Sequence, residues 1–260
     1  VELTLDEALA LCALGEHVAD KEQIPLTRAA GRAVAKVRSQ LPVPLRDHVA
    51  ALDEHLSIHL PPAGPHYGIE DVYETVRAAI HKGCVLRCRY ESIERGKRGD
   101  ATDEEFDFEP YALLFSHRAW YVFGHHGGRG EIRCMKLNRF ASLAPTHRRY
   151  RVPKSFTLDH HLGNAWRMIR GRRSYHVELV FDADFAETIA DTHWHRTQEI
   201  DWADDGSCIF RCTVDGLDEI VWWILSMGPH CVVRKPKVLA DRVRELAEQT
   251  AANYGSEVAT

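Results

Sequence analysis

Ala119-Trp120-Tyr121-Val122-Phe123-Gly124-His125-His126-Gly127-Gly128-Arg129-Gly130-Glu131-Ile132-Arg133-Cys134-Met135-Lys136-Leu137-Asn138-Arg139 is the stretch on which the fold turns. Its first part, Ala119 to His125, reads as a strand, and His126 to Gly130 supplies the glycines of a hairpin tip. Ile132 to Arg139 then alternates. Residues two apart on a strand point the same way, so Arg133, Met135, Leu137 and Arg139 share a face. On this reading Met135 and Leu137 face a core and each arginine emerges at one end. Trp120 and Tyr121 stand on the neighbouring strand.

Working outward, more short strands precede the hairpin. Val85 to Tyr90 sets Leu86, Cys88 and Tyr90 against Arg87 and Arg89. A charged loop covers 91–104, Phe106 and Phe108 alternate up to Pro110, and Tyr111 to Ser116 forms another strand. Five short strands between residues 85 and 139 predict a small closed barrel. An amphipathic helix over Ile69–Lys82 leads into it, carrying Ile69, Val72, Tyr73, Val76 and Ile80 and stopped by Gly83.

Residues 1–60 read as three short helices. Thr4 and Glu7 have the spacing of a capping box. Leu26, Ala30, Ala33, Val37 and Leu41 make a second stripe, and Leu45, Val49, Leu52 and Leu56 a third. Such a segment has a thin core and is expected to pack on something else, another domain or a second copy. Pro61-Pro62-Ala63-Gly64-Pro65 is a linker by composition. Beyond the hairpin, 156–170 reads as a short helix ended by Gly171. Then come Tyr175–Asp182 (strand), Asp184–Asp191 (helix), Arg196–Trp202 and Ser207–Val214 (strands joined at Asp204-Asp205-Gly206), Leu217–Met227 (helix), Cys231–Arg234 (strand) and Val238–Tyr254 (helix). The order β-α-β-β-α-β-α is that of a ferredoxin-like split unit with a trailing helix.

The formal net charge of −5 conceals an asymmetry. Residues 1–80 hold 7 basic and 12 acidic side chains, 81–173 hold 19 and 10, and 174–260 hold 7 and 16. A ligand feels the local field, so a middle of net +9 is consistent with an anionic partner, nucleic acid included. No apolar run is long enough for a membrane helix, and the start lacks the pattern of a signal peptide. The seven cysteines are scattered and read as reduced thiols of a cytoplasmic protein.

Enzyme signatures are missing: there is no nucleophile elbow, no Walker A and no H-E-x-x-H. His125-His126, His160-His161 and His193/His195 invite a metal check. If residues 193–195 were strand, His193 and His195 would point the same way, but no third ligand falls at a familiar spacing. No metal and no cofactor is therefore expected. The hairpin carries the chemistry. Arginine binds phosphate through paired hydrogen bonds, and tyrosine or tryptophan stacks on bases or covers apolar ligand surface. The plain alternative, arginines paired with surface acids and a tryptophan filling the core, stands equally on these residues. Two further basic runs, His147–Lys154 and Arg167–Arg173, fall on the connection to the last unit. They read as solvated linker or as phosphate-backbone contacts.

The run from Val72 to Leu143 resembles the WYL domain of bacterial transcriptional regulators. The likeness lies in Ala79-Ile80-His81-Lys82-Gly83, Leu86-Arg87-Cys88-Arg89-Tyr90, Phe108-Glu109-Pro110-Tyr111-Ala112-Leu113, Arg118-Ala119-Trp120-Tyr121-Val122-Phe123-Gly124 and Ile132–Phe140. The naming triplet is Trp-Tyr-Val here, and Asn138 and Phe140 stand where the family usually has Asp and Ile. Residues 174–254 look like the C-terminal extension of such regulators, through Asp205-Gly206-Ser207, Trp223–Gly228 and Lys235–Leu239.

The resemblance implies an α+β chain in three parts. These are a helical dimerisation arm (1–65), an Sm/SH3-like sensor barrel with its preceding helix (66–155), and a linker helix with the ferredoxin-like extension (156–260). It implies a non-enzymatic sensor working as a homodimer in the cytoplasm. The expected partner is an anionic effector, foremost single-stranded nucleic acid, or else a small anionic metabolite or nucleotide. Carried onto this chain, the ligand candidates are Tyr90, Trp120, Tyr121, Arg133 and Arg139, with His125 and Arg129 second. The winged helix-turn-helix head of such regulators is not legible in residues 1–60; it would precede Val1, and the chain reads either as a fragment or as a headless sensor. Operator DNA would be bound only through that head.

Overall fold

The computed structural model describes residues 4, 6–8, 10–12, 15, 27–53, 69–91, 105–116 and 119–255. They fall into two compact units, Val1–Pro153 and Lys154–Thr260, taken here one at a time. Both are mixtures of helices and antiparallel sheets, and the class is α+β. Among the described residues no helix is long and apolar enough to cross a membrane.

The first unit opens with the capping box. The Thr4 amide donates to Glu7 Oε2 (2.8 Å) and the Glu7 amide to Thr4 Oγ1 (3.3 Å), satisfying two helix-end donors. Helices α1 (Thr27–Gln40) and α2 (Val43–Asp53) follow. Among the described residues their core holds Cys12, Val34 and Val49, with Val37 and Leu41 against them. The expected stripe on α1 is out of phase. Ala30 and Ala33 are exposed, and the larger Val34 takes the inward position. Leu26, Leu56, the linker 61–65 and most of the loop 91–104 lie outside the described residues.

Helix α3 (Ile69–Lys82) buries Ile69, Tyr73, Val76 and Ala79 against a five-stranded sheet. The strands are β1 (Cys84–Tyr90), β2 (Phe106–Ser116), β3 (Ala119–His126), β4 (Glu131–Lys136) and β5 (Phe140–Arg149), in the order β4-β3-β2-β1-β5. Three corrections to the strand pattern follow. The two expected segments 106–110 and 111–116 are one strand, with a register shift between Pro110 and Ala112. β1 pairs with β2 only up to Phe108, so Pro110 meets no β1 ladder that would need its missing N–H. The bulge also brings β2 close to β3: a Cβ on Gly124 would lie 2.2 Å from the Glu109 carbonyl oxygen.

The expected strand 132–139 ends at Lys136, and residues 137–139 form a 3-10 turn. Leu137 is fully buried there, so the alternation runs on although the strand does not. The turn leads into β5, which returns to pair with β1. His147–Arg149, expected in a connection, are therefore the end of an edge strand. No ladder joins β4 to β5, so the closed barrel is not formed by strand pairing among the described residues. Both edges nevertheless feed one core: Met135 of β4 packs with Leu86, Cys88, Phe108 and Val122, and Phe140 and Leu143 of β5 lie against them.

The second unit starts with a helix shorter than expected, α4 (Leu158–Leu162). Thr157 caps it and Gly163, at φ +55°, ends it. A four-stranded antiparallel sheet follows, made of β6 (Ser174–Phe181), β7 (Glu199–Trp202), β8 (Cys208–Asp215) and β9 (Cys231–Lys235). Its order is β7-β8-β6-β9. Helix α5 (Ala183–Ala190) joins β6 to β7, α6 (Ile220–Ser226) joins β8 to β9, and α7 (Lys237–Gly255) ends the unit. The core holds Phe181, Ile189, Phe210, Trp223 and Leu239. His193–Arg196 is loop and not strand. His195 is buried there, with Nδ1 2.9 Å from Thr197 Oγ1 and Nε2 3.3 Å from the Ala165 carbonyl. It is a hydrogen-bonded core histidine.

Candidate ligand-binding site

The β3–β4 hairpin spreads the seven candidate residues over two ends and the core. In the triplet, Trp120 and Val122 point inward and Tyr121 outward, as strand alternation requires. Trp120 is 9% exposed and packs on Tyr73 (ring centroids 4.7 Å) and Phe115 (5.4 Å). Helix α3 thus covers it, and Trp120 is a core residue with almost no surface left for a ligand.

One end gathers Tyr90, Tyr121 and Arg139. Tyr121 pairs with Lys136 across the hairpin, and paired side chains share a face. The Lys136 amide donates to Tyr90 Oη at 2.9 Å. β4 is an edge strand, so this hydroxyl satisfies an N–H that no strand takes. Tyr90 sits at the end of β1, next to the opposite edge strand, and its ring meets Phe140 edge-on at 5.1 Å. A side chain here links the two margins of the sheet. Burial pushes the Tyr90 phenol up, opposed by the Lys136 hydrogen bond and by the charge of Arg139 and a hydrogen bond to it. Arg139 belongs to the 3-10 turn and does not share a strand face with Arg133. Among the described residues, neither Lys136 nor Arg139 has an ion-pair partner.

The other end gathers His125, Arg129 and Arg133, about 13 Å of strand away from Tyr121. Arg133 is ion-paired with Glu131. His126 stacks on Phe106 (4.0 Å, 11°). Its pKa is lowered by burial and by the charges of Arg129, Arg133 and His125, which keeps it neutral at neutral pH. Beside this end lies a groove of about 430 Å³ lined by Arg87, Asp107, His125 and Arg148, among others. Asp107 is ion-paired with Arg87 (3.2 Å) and with Arg148. Sequence reasoning missed Arg87 and Arg148: one was the solvent side of an alternating strand and the other lay in an assumed linker. The basic character of the middle segment was the only signal for them.

A group outside the hairpin meets the geometric condition for a metal, with ligating atoms of Asp182, Asp184 and His230 within 4.8 Å of one another. Its hydrogen bonds serve the fold. Asp182 Oδ1 caps α5 through the Phe185 amide (3.2 Å), and Oδ2 lies 2.8 Å from His230 Nδ1, whose ring stacks on Phe185.

Comparison with known families places two domains on this frame. The WYL domain matches residues 71–145 and the WCX domain residues 173–251. The chain carries a WYL domain and a WCX domain. Its WYL domain is the α3–β5 segment, and its WCX domain is the four-stranded sheet with α5, α6 and most of α7. Among solved structures it is similar to proteasome accessory factor B/C (PafBC) of Arthrobacter aurescens, at 18% identity over 98% of this chain and 37% of that one, with a TM-score of 0.33. It is also similar to a CRISPR Cas-related protein, at 13% identity over 86% of this chain and 61% of that one, with a TM-score of 0.48. The WYL-domain chain thus spans less than two thirds of either protein.

Proposed function

We propose that this chain is the effector-sensing part of a transcriptional regulator, and that its WYL domain binds an anionic ligand, foremost single-stranded nucleic acid. One observation carries the reading. Two cations without acid partners among the described residues, Lys136 and Arg139, stand beside two partly buried tyrosines, Tyr90 and Tyr121, at one end of the hairpin. Cations that no carboxylate neutralises attract phosphate, and tyrosine offers a face on which a base stacks. Arg129, Arg133 and His125 extend the binding surface along the same hairpin. Catalysis has no part in this reading. Ligand binding would tune a DNA-binding head on the same regulator, in the cytoplasm.

The finer architecture belongs to the same proposal. Residues 1–65 form a dimerisation arm, 66–155 an Sm/SH3-like barrel and 156–260 a ferredoxin-like extension with its linker. Core residues from both margins of the first sheet support the barrel. The order β7-β8-β6-β9 supports the ferredoxin-like unit. The thin core expected of three short helices supports a homodimer, because short helices on their own are marginal.

The test is anisotropy of a labelled single-stranded oligonucleotide at about 50 and 200 mM salt. The Lys136→Ala/Arg139→Ala variant should weaken binding and flatten the salt dependence. Unchanged binding would refute this end of the hairpin, and a loss in Arg133→Ala alone would move the site to the other. A small anionic metabolite or nucleotide is the second reading. It is favoured by the groove beside His125, whose volume lies in the range of small-molecule sites. A thermal-shift screen separates the two, since only the bound class raises the melting temperature.

A further inference from the structure

The WCX domain is acidic, yet the segment leading into it presents arginines with no ion-pair partner among the described residues. Between α4 and β6 the chain is irregular but firmly held. Glu219 Oε2 accepts three consecutive amides, from Arg167 (2.8 Å), Met168 (2.9 Å) and Ile169 (3.0 Å). Two residues on, the Gly171 amide donates to the Asp215 carbonyl (2.7 Å), and the Gly216 amide donates back to the Arg173 carbonyl (2.9 Å). The two strands of chain touch at glycine: a Cβ on Gly171 would lie 2.5 Å from Gly216 Cα. Residues 167–173 therefore run along the turn 215–219 in one fixed course.

The acids of that turn are already engaged. Glu219 is taken up by the three amides. Asp215 accepts from Arg170 Nε at 3.0 Å and from the Asn164 amide at 3.2 Å. Asp218 is ion-paired with Arg242 at 2.8 Å. Arg167, Arg172 and Arg173 are exposed and, among the described residues, have no ion-pair partner. Two large apolar side chains accompany them. Ile169 is 59% exposed, and Trp222, one helical turn beyond Glu219, is 49% exposed while its neighbour Trp223 is buried. A half-exposed indole on the helix that Glu219 opens and exposed guanidinium groups on the loop that Glu219 holds together have the composition of a single-strand binding surface: cations for the backbone and a flat face for a base.

We infer that the WCX domain and the segment leading into it carry a second contact for single-stranded nucleic acid, with Arg167, Arg172 and Arg173 on the phosphates and Trp222 stacked on a base. The site is separate from the hairpin of the WYL domain. It rests on the Proposed function only for the class of ligand. Glu219 is a positioning residue, since it fixes the course of the loop that presents the arginines. Arg170 is committed to Asp215 and takes no part.

The test uses the whole chain and a labelled 20-nucleotide poly-dT strand, read by anisotropy across a salt series. Arg167→Ala/Arg172→Ala/Arg173→Ala should weaken binding at least tenfold at low salt. It should also reduce the slope of log K against log salt by about 2, since each single-strand phosphate contact contributes about 0.7. Trp222→Ala should weaken binding about fivefold or more with little change of slope. These side chains are exposed, so melting temperatures should stay near wild type, and circular dichroism checks that they do. Wild-type affinity and slope in the triple variant would overturn the inference while leaving the hairpin site standing. A loss confined to the triple variant, with Lys136→Ala/Arg139→Ala unaffected, would uphold it and remove the hairpin site. No binding of the strand by wild type at low salt would overturn both. A triple variant that loses poly-glutamate as strongly as the strand, with Trp222→Ala silent, would make the patch a general polyanion surface and overturn the assignment. So would a Trp222→Ala variant that turns a dimer into a monomer in analytical ultracentrifugation, because the indole would then be an interface between copies.

Discussion

Replacing Tyr90 by phenylalanine removes one oxygen atom and tests how the WYL sheet is held at its margins. Tyr90 Oη accepts the Lys136 amide at 2.9 Å, and β4 has no strand on its outer side to take that amide instead. The ring itself stays, so the edge contact with Phe140 at 5.1 Å is kept and no cavity forms. What is lost is a hydrogen bond worth about 0.5–1.5 kcal/mol, plus part of the cost, about 1–3 kcal/mol, of an amide left unsatisfied. Lys136 is partly exposed and water can reach some of the site, so a loss of about 1.5 kcal/mol is expected at this corner. That corresponds to roughly tenfold more of the open form, since 1.4 kcal/mol is a decade in an equilibrium. Hydrogen–deuterium exchange of the peptide containing Lys136 is the appropriate assay, because it reports local opening and not global unfolding. Protection should fall about tenfold there and stay unchanged at Phe181 and Phe210 in the WCX domain. Arg139 is coupled to the same hydroxyl, so oligonucleotide affinity should fall modestly in parallel. Unaltered protection at Lys136 would refute the view that the tyrosine ties the two margins together.

Two other consequences can be measured directly. Trp120→Ala should cost about 3–5 kcal/mol, the usual price of emptying a buried aromatic site. It should unfold or loosen the WYL domain in thermal melts, whereas a ligand-contact role would lower affinity with the fold intact. Acidification should lower stability first through histidine. Burial lowers the His195 pKa, opposed by the Ala165 and Asn164 hydrogen bonds, and His126 and His161 are lowered too. The unfolded chain then takes up protons more readily, so the contribution is complete above about pH 6.5 and is lost as pH falls toward the folded values. Carboxylates held below their usual range, Asp205 and Asp241 among them, act only in more acid solution. Melting temperatures between pH 7 and 5 should fall for wild type and fall less for His195→Gln; equal slopes would count against a buried neutral His195.

The parts of the fold that could be read in advance are those where period and punctuation agree. The 119–136 hairpin has a short apolar run, 119–124, set off by a glycine-rich tip, and β6 to α7 have Asp182 as a cap and Gly206 and Gly228 as turns. The parts that misled have a common physical origin. Leu137 is buried by a 3-10 turn and not by a strand, so the hydrophobic period continued across a break it should have marked. β5 touches the core through Phe140 and Leu143 alone and is otherwise largely exposed, so an edge strand with Pro145 in it looked like a connection. His193 and His195 looked like one face of a strand, but the Gln198 side chain accepts the amides of Trp194 (2.6 Å) and His195 (3.0 Å) and shapes a loop. Each error concerns side chain–backbone bonds or curvature, neither of which has a period.

The same distinction governs the candidate site. Composition located a basic middle of the chain, and the structure divides it by what neutralises each cation. Arg87 and Arg148 share Asp107, Arg133 has Glu131, and Arg170 has Asp215. Lys136, Arg139, Arg167, Arg172 and Arg173 have no such partner among the described residues. An exposed ion pair contributes little to stability and little net field. A cation with no partner keeps its full field for a ligand, and a phosphate that meets it releases counterions without first breaking a protein contact. The two proposed sites draw on these five; Arg129, Arg151 and Lys154 likewise have no ion-pair partner among the described residues and offer the same kind of field. The five sort into one pair in the WYL domain beside two tyrosines and one trio at the entry to the WCX domain, on the loop that Glu219 holds. Reversing the charge at a member of either set should weaken ligand binding more than reversing Arg87 or Arg148, where the added carboxylate would instead lie against Asp107 and cost stability.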